Sequence, residues 1–145
     1  MTSSIEINSF LRNDPLFLGC FPLDRLPKIK SRQARSMIIN THPAGGQGEH
    51  WIALVMTKEH CFYFDSFGCP IIEININRYL SKYYQKVVYS DICIQHVMSE
   101  KCGEFCMGFV KHVRNRRTYM CYLSNFNFED VMLNDLIINS LINIK

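Results

Sequence analysis

No stretch of the 145-residue sequence comes near the roughly 18 uninterrupted apolar residues of a membrane-spanning helix. Residues 1–12 (MTSSIEINSFLR) lack the basic start and apolar run of a signal peptide. Internal repeats and low-complexity tracts are missing, and 7 glycines and 5 prolines are too few for a collagen-like or linker-rich chain. Charge of one sign is scarce as well. Sixteen basic against 13 acidic residues leave +3, which permits a nucleic-acid or acidic partner without demanding one. The expectation is a reduced intracellular protein that makes no membrane contact and forms one domain over residues 1–145.

Cysteine, by contrast, is plentiful. Seven is a high count, but the number is odd and the spacing irregular, unlike a disulfide framework. In a reducing setting such a surplus directs the search to metal or nucleophile chemistry. The remaining composition, 48% hydrophobic and 20% charged, is that of an ordinary globular protein.

Local patterns predict an α+β chain. Ser3 and Ser4 precede Ile5, Phe10 and Leu11, a short amphipathic helix stopped by Asn13-Asp14-Pro15. Residues 19–36, with Gly19, Pro22, Pro27 and five basic side chains, read as irregular. Residues 37–41 read as a strand. The loop His42-Pro43-Ala44-Gly45-Gly46-Gln47-Gly48 follows, its glycines unfit for regular structure. Residues 51–57 and 61–67 are rich in β-branched and aromatic side chains and flank Lys58-Glu59, so they predict a hairpin. Ile72, Ile76, Tyr79, Leu80 and Tyr83 share one side of a helix within residues 71–86, and residues 87–95 return as a strand. A helix from Cys102 carries Phe105, Phe109 and Val113 and has a basic far end. One last helix is predicted over residues 127–142, begun by Asn127.

Two places could carry chemistry. A hairpin turn centred on Lys58-Glu59 sets His50 opposite Phe67, with Asp65 as a same-face neighbour. A carboxylate beside an imidazole fixes its tautomer and stabilises its protonated form, as a catalytic base requires. The plainer alternative is an exposed histidine with an unrelated aspartate. Cys102-Gly103-Glu104-Phe105-Cys106 opens a helix, where the positive end of the macrodipole favours a thiolate. Gly103 keeps the approach to the sulfur open, and backbone N–H groups there, with the Gln95 amide, could hold an oxyanion. Alternatively, Cys102 and Cys106 are two buried thiols one helical turn apart, and for Cys106 that is the reading adopted.

Taken together, these residues resemble a known family. Gly48-Glu49-His50-Trp51-Ile52-Ala53-Leu54-Val55 and Phe62-Tyr63-Phe64-Asp65-Ser66-Phe67-Gly68 are similar to the central hairpin of the adenovirus maturation proteases, the adenain family. Gln95, Ser99 and Cys102-Gly103-Glu104-Phe105-Cys106 resemble its nucleophile segment, and Phe17-Leu18-Gly19 and Ile38-Ile39-Asn40-Thr41 match in order. The resemblance spans residues 15–113. It implies a papain-like cysteine endopeptidase in permuted chain order, His-Asp-Gln-Cys, with a central mixed sheet flanked by helices. His50 would be the base, Asp65 its orienting carboxylate, Cys102 the nucleophile and Gln95 the oxyanion donor. Gly46, Gly48, Trp51 and Gly103 would bind a polypeptide substrate, with core packing an equal alternative for Trp51. The chemistry is acyl transfer through a thioester, with no cofactor or metal.

The same resemblance implies viral precursor proteins as substrates, a monomer, a nuclear or virion setting, and DNA or a viral peptide as stimulators. Lys111, Arg114, Arg116 and Arg117 are the candidate phosphate contacts, and Lys28, Lys30, Arg32 and Arg35 form a second basic cluster. A solvated basic surface is the plain alternative for both. Asp65 stands where adenoviral enzymes often carry Glu. Cys93 does not align with the cysteine that links their activating peptide, and the chain after the nucleophile helix is short, so that one helix would have to close the domain. Three rivals remain: a zinc site from Cys93, His96, Cys102 and Cys106, an isopeptidase for ubiquitin-like modifiers on the same fold, and a non-catalytic binding relative.

Overall fold

A computed structural model of the chain describes residues 2–29, 32–41, 50–71 and 73–143. Its centre is a five-stranded mixed sheet in sequential order: β1 (Phe17–Pro22), β2 (Arg35–Asn40), β3 (Trp51–Met56), β4 (Cys61–Phe64) and β5 (Val87–Val88). The outer pairs, β1–β2 and β4–β5, are parallel, and the inner pairs are antiparallel. The hairpin register follows the turn geometry, with Met56 opposite Cys61 and Ala53 opposite Phe64. The architecture is α+β, as the sequence predicts.

Both faces of the sheet are covered, which is why all six residues of β3 are buried. Ile38, Ala53, Val55, Phe62 and Phe64 face α1 (Ser4–Leu11) and α3 (Cys102–His112), with α4 (Arg116–Leu123) and α5 (Asn134–Asn143) behind. Met37, Ile39, Ile52, Leu54 and Tyr63 face Ile76, Tyr79 and Leu80 of α2 (Ile74–Ser81). Helix α1 starts in a capping box, its Ser3 hydroxyl accepting from the Glu6 N–H and the Glu6 carboxylate from the Ser3 N–H.

Four expectations are corrected. Residues 17–22 form an edge strand, and residues 19–22 of it fall in the stretch predicted to be irregular. Gly19, at φ +135°, breaks the register between Phe17 and Cys20, and Pro22 ends the strand, so its pattern is not a clean alternation. The strand predicted over residues 87–95 is only Val87–Val88: the ladder stops at Phe62–Val88 although β4 continues to Phe64, and the Tyr63 carbonyl accepts from the Tyr119 hydroxyl. In place of the single helix predicted over residues 127–142 there is a 3-10 turn (Val131–Leu133) and then α5. Helix α4 has no counterpart in the prediction. The Asn115 side chain accepts from the Thr118 N–H and starts α4, so Arg116 and Arg117 open a new helix rather than extend α3. The loop over residues 42–48 and Ile72 lie outside the described residues.

Candidate active site

His50 sits just before β3, where its carbonyl accepts from the Thr41 N–H at 3.0 Å and closes the β2–β3 pair. Its Nε2 lies 2.8 Å from Asp65 Oδ1, and its ring stacks on Phe67 at 5.1 Å between centroids. Asp65 heads a tight turn. The Gly68 N–H donates to the Asp65 carbonyl at 2.8 Å, and the Phe67 N–H donates to Oδ1 at 2.9 Å, so the carboxylate is oriented before the imidazole meets it. Gly68 has φ +73°, and a side chain there would stand 2.7 Å from the Asp91 carbonyl oxygen. The turn therefore packs directly against residues 91–93.

Cys102 is the first residue of α3 and is 2% exposed. Helix α3 crosses β3 at close range, because a Cβ on Gly103 would come within 3.3 Å of Trp51 Cδ1. This crossing brings the thiol to the imidazole. Burial pulls the His50 ring down, yet the side-chain hydrogen bonds and charges of Asp65 and Cys102 outweigh it and push the ring up to about 9. The imidazole thus lies between the Asp65 carboxylate and the Cys102 side chain, and the two together favour its protonated form. Burial pushes Cys20 and Cys61 up to about 12, and Cys106 well above the ordinary thiol range. All seven cysteines are free.

Gln95 is 1% exposed and carried by irregular chain. The Ile94 and Gln95 N–H groups both donate to the Ser66 carbonyl, at 2.9 and 3.1 Å, which ties this segment to the Asp65 turn. The Ser66 hydroxyl donates to Gln95 Oε1, and Gln95 Nε2 donates to the Ser99 carbonyl at 2.9 Å. That uses one amide hydrogen, and the second has no partner among the described residues. The N-terminus of α3 likewise has no side-chain cap, which leaves first-turn N–H groups able to bind an anion.

Trp51 is packed rather than open. It is 6% exposed, its indole N–H donates to the Thr2 carbonyl at 3.0 Å, and Thr2 lies over Gly103. Among the described residues neither Trp51 nor Gly103 lines an open groove, because Thr2 packs beside both. A cavity of about 550 Å³, lined by His50, Asp65, Tyr63, Phe67, Pro70 and Ile74 among others, lies beside the imidazole. Gly46 and Gly48 lie outside the described residues. In the basic cluster, Arg114 donates to the carbonyls of Val110 and Val113 and pairs with Asp14 at 3.7 Å, while Lys111 lies over the Phe10 ring. Both have structural partners.

Among the described residues, no group of three or more His, Cys, Asp or Glu is arranged to hold a metal ion, and no helix is long and apolar enough to cross a membrane. Sequence reasoning missed Ser66, Asn134 and Asp135 as supports of the site. The Asp65-Ser66-Phe67-Gly68 turn was readable, since Asp and Gly at its ends suit a type I turn. No family model matches the chain. It is similar to a protein named Protease from Snake adenovirus serotype 1, 32% identical over an alignment 112 positions long that covers 65% of this chain and 54% of the relative. The chain thus spans about half the length of the curated relative it matches.

Proposed function

We propose that the protein is a cysteine-type endopeptidase of papain-like architecture in permuted chain order. The feature that carries this reading is the geometry around the half-buried His50 imidazole, 2.8 Å from the Asp65 carboxylate and hydrogen-bonded to the Cys102 side chain at the start of α3, two partners that favour its charged form. The similarity to an adenoviral protein named Protease supports it. Cys102 thiolate attacks the scissile carbonyl, forming an S–C bond and pushing the π pair onto oxygen. The free Gln95 amide hydrogen and the Cys102 N–H receive that oxyanion. On collapse the C–N bond breaks, and the His50 imidazolium gives its proton to the leaving amine. Neutral His50 then takes a proton from water as the hydroxide adds to the thioester carbonyl; the C–S bond breaks, and the product acid leaves the Cys102 thiolate beside the His50 imidazolium again. Asp65 orients the ring and stabilises its charged form. The substrates are polypeptides, read here as viral precursor proteins cut during particle maturation.

The test is alkylation by iodoacetamide at pH 6, with the modified residue read by mass spectrometry. Cys102 should be modified selectively, ahead of the exposed Cys69, Cys93 and Cys121, and His50→Ala should abolish that preference. Slow, even labelling of the exposed thiols with Cys102 untouched would overturn the assignment.

A further inference from the structure

Residues 89–101 join β5 to α3 without regular structure, and the pair Gln95 and Cys102 depends on how that segment is held. Apolar packing cannot hold its tip, since Val97 is 78% and Met98 80% exposed. Hydrogen bonds do. Asn134, the first residue of α5, is fully buried. Its Nδ2 donates to the Ile94 carbonyl and to the Asn127 carbonyl, both at 2.8 Å, while its Oδ1 accepts from the Asn127 N–H at 2.8 Å. Asp135 follows it. Its Oδ1 accepts from the Ser99 hydroxyl at 2.7 Å.

Ser99 is where these bonds cross. Its carbonyl accepts from the Gln95 amide, and its hydroxyl oxygen accepts from the Lys101 N–H at 3.1 Å, immediately before the nucleophile. A hydroxyl has one hydrogen and two lone pairs. Because Asp135 takes the hydrogen, the lone pairs are turned toward Lys101. Without that acceptor the hydroxyl is free to rotate, and the tie on the α3 N-terminus loosens together with the carbonyl that orients Gln95.

From this geometry we infer that α5 is part of the site, with Asp135, acting through Ser99, as the positioning residue that sets the Gln95 amide and the Cys102 N–H for a shared oxyanion. The inference rests on the cysteine-peptidase reading and adds to it a residue from a helix remote in sequence.

Two probes separate the roles. Iodoacetamide transfers its alkyl group to the thiolate with loss of iodide and develops no oxyanion. A glycine-terminated peptide aldehyde adds the thiolate at its carbonyl carbon, and the displaced π pair becomes an oxyanion that Gln95 and the backbone must hold. Asp135→Ala and Ser99→Ala are expected to weaken aldehyde binding about tenfold to a hundredfold while changing the alkylation rate of Cys102 less than about twofold. Asp135→Asn, which keeps an acceptor oxygen in place, should retain most of the aldehyde affinity. The double variant should be no worse than Ser99→Ala, because both lesions act on one bond. Unchanged aldehyde affinity in both single variants would overturn the inference, as would equal losses with both probes, which would indicate a generally loosened fold. If the unsubstituted protein shows no selective alkylation of Cys102, the peptidase reading itself fails. If it is alkylated but does not hold the aldehyde, the oxyanion role of Gln95 and its positioning fail alone.

Discussion

The His50–Asp65 pair makes stability depend on pH in a direction that can be worked out. The folded imidazole stands at about 9 against an ordinary 6.5, even though burial opposes its charge. At about 1.4 kcal/mol per pH unit, that gap favours the protonated, folded ring by about 3 kcal/mol. Below 6.5 both states carry the proton, and the contribution is fully present. Above 6.5 the unfolded ring releases its proton while the folded ring keeps it, so stability falls until pH reaches about 9. Between pH 6.5 and 8 the fall from this group is about 2 kcal/mol. Urea unfolding at half-unit steps from pH 6 to 8 measures it, below the range in which the buried tyrosines and cysteines contribute. In Asp65→Asn the carboxylate charge is gone and only Cys102 still opposes burial, so the slope should flatten and the variant should be less stable at pH 6. Identical slopes in the two proteins would refute the reasoning, whatever their absolute stabilities.

Three further outcomes follow from particular contacts. Gly68→Ala forces a side chain into φ +73° and to 2.7 Å from the Asp91 carbonyl oxygen, so it should cost about 2–4 kcal/mol in urea unfolding and displace the Gln95 segment, visible as loss of aldehyde binding. Gly108→Ala sets two effects against each other. Helix propensity gains about 1 kcal/mol, but the new Cβ would stand 2.7 Å from the Tyr122 hydroxyl and 2.9 Å from Ile138 Cδ1, so the melting temperature should drop, and a rise would show that α4 and α5 yield easily. Ser66→Ala leaves the buried Gln95 Oε1 without its donor, at a cost of about 1–3 kcal/mol, and should impair aldehyde binding far more than alkylation of Cys102.

The hairpin was legible because everything that defines it is local. A two-residue polar interruption between apolar runs fixes the register as far as Ala53–Phe64, and the turn that starts at Asp65 then brings its carboxylate to His50. Helix α3 was legible for a similar reason, its Phe105, Phe109 and Val113 recurring on one face at core spacing. Helix α4 left a weaker trace. Asn115 and Thr118 form a reciprocal cap, and Tyr119, Tyr122 and Leu123 make a buried stripe, but Arg116 and Arg117 read more simply as the charged end of the helix before.

The segment between β5 and α3 left none. No periodicity marks it, since its order comes from bonds made by residues far away in sequence: Ser66 on one side, Asn134 and Asp135 on the other. The same distance explains why α5 reads from sequence as a closing helix with no link to the chemistry. An amphipathic pattern reports that Ile138 enters the core, and it says nothing about a first turn whose two polar side chains reach back to Ile94 and Ser99. Those bonds exist only once the sheet, the Asp65 turn and α3 have brought the segment alongside α5. The catalytic candidates could therefore be read one by one, whereas the scaffold that sets their distances is a property of the assembled fold.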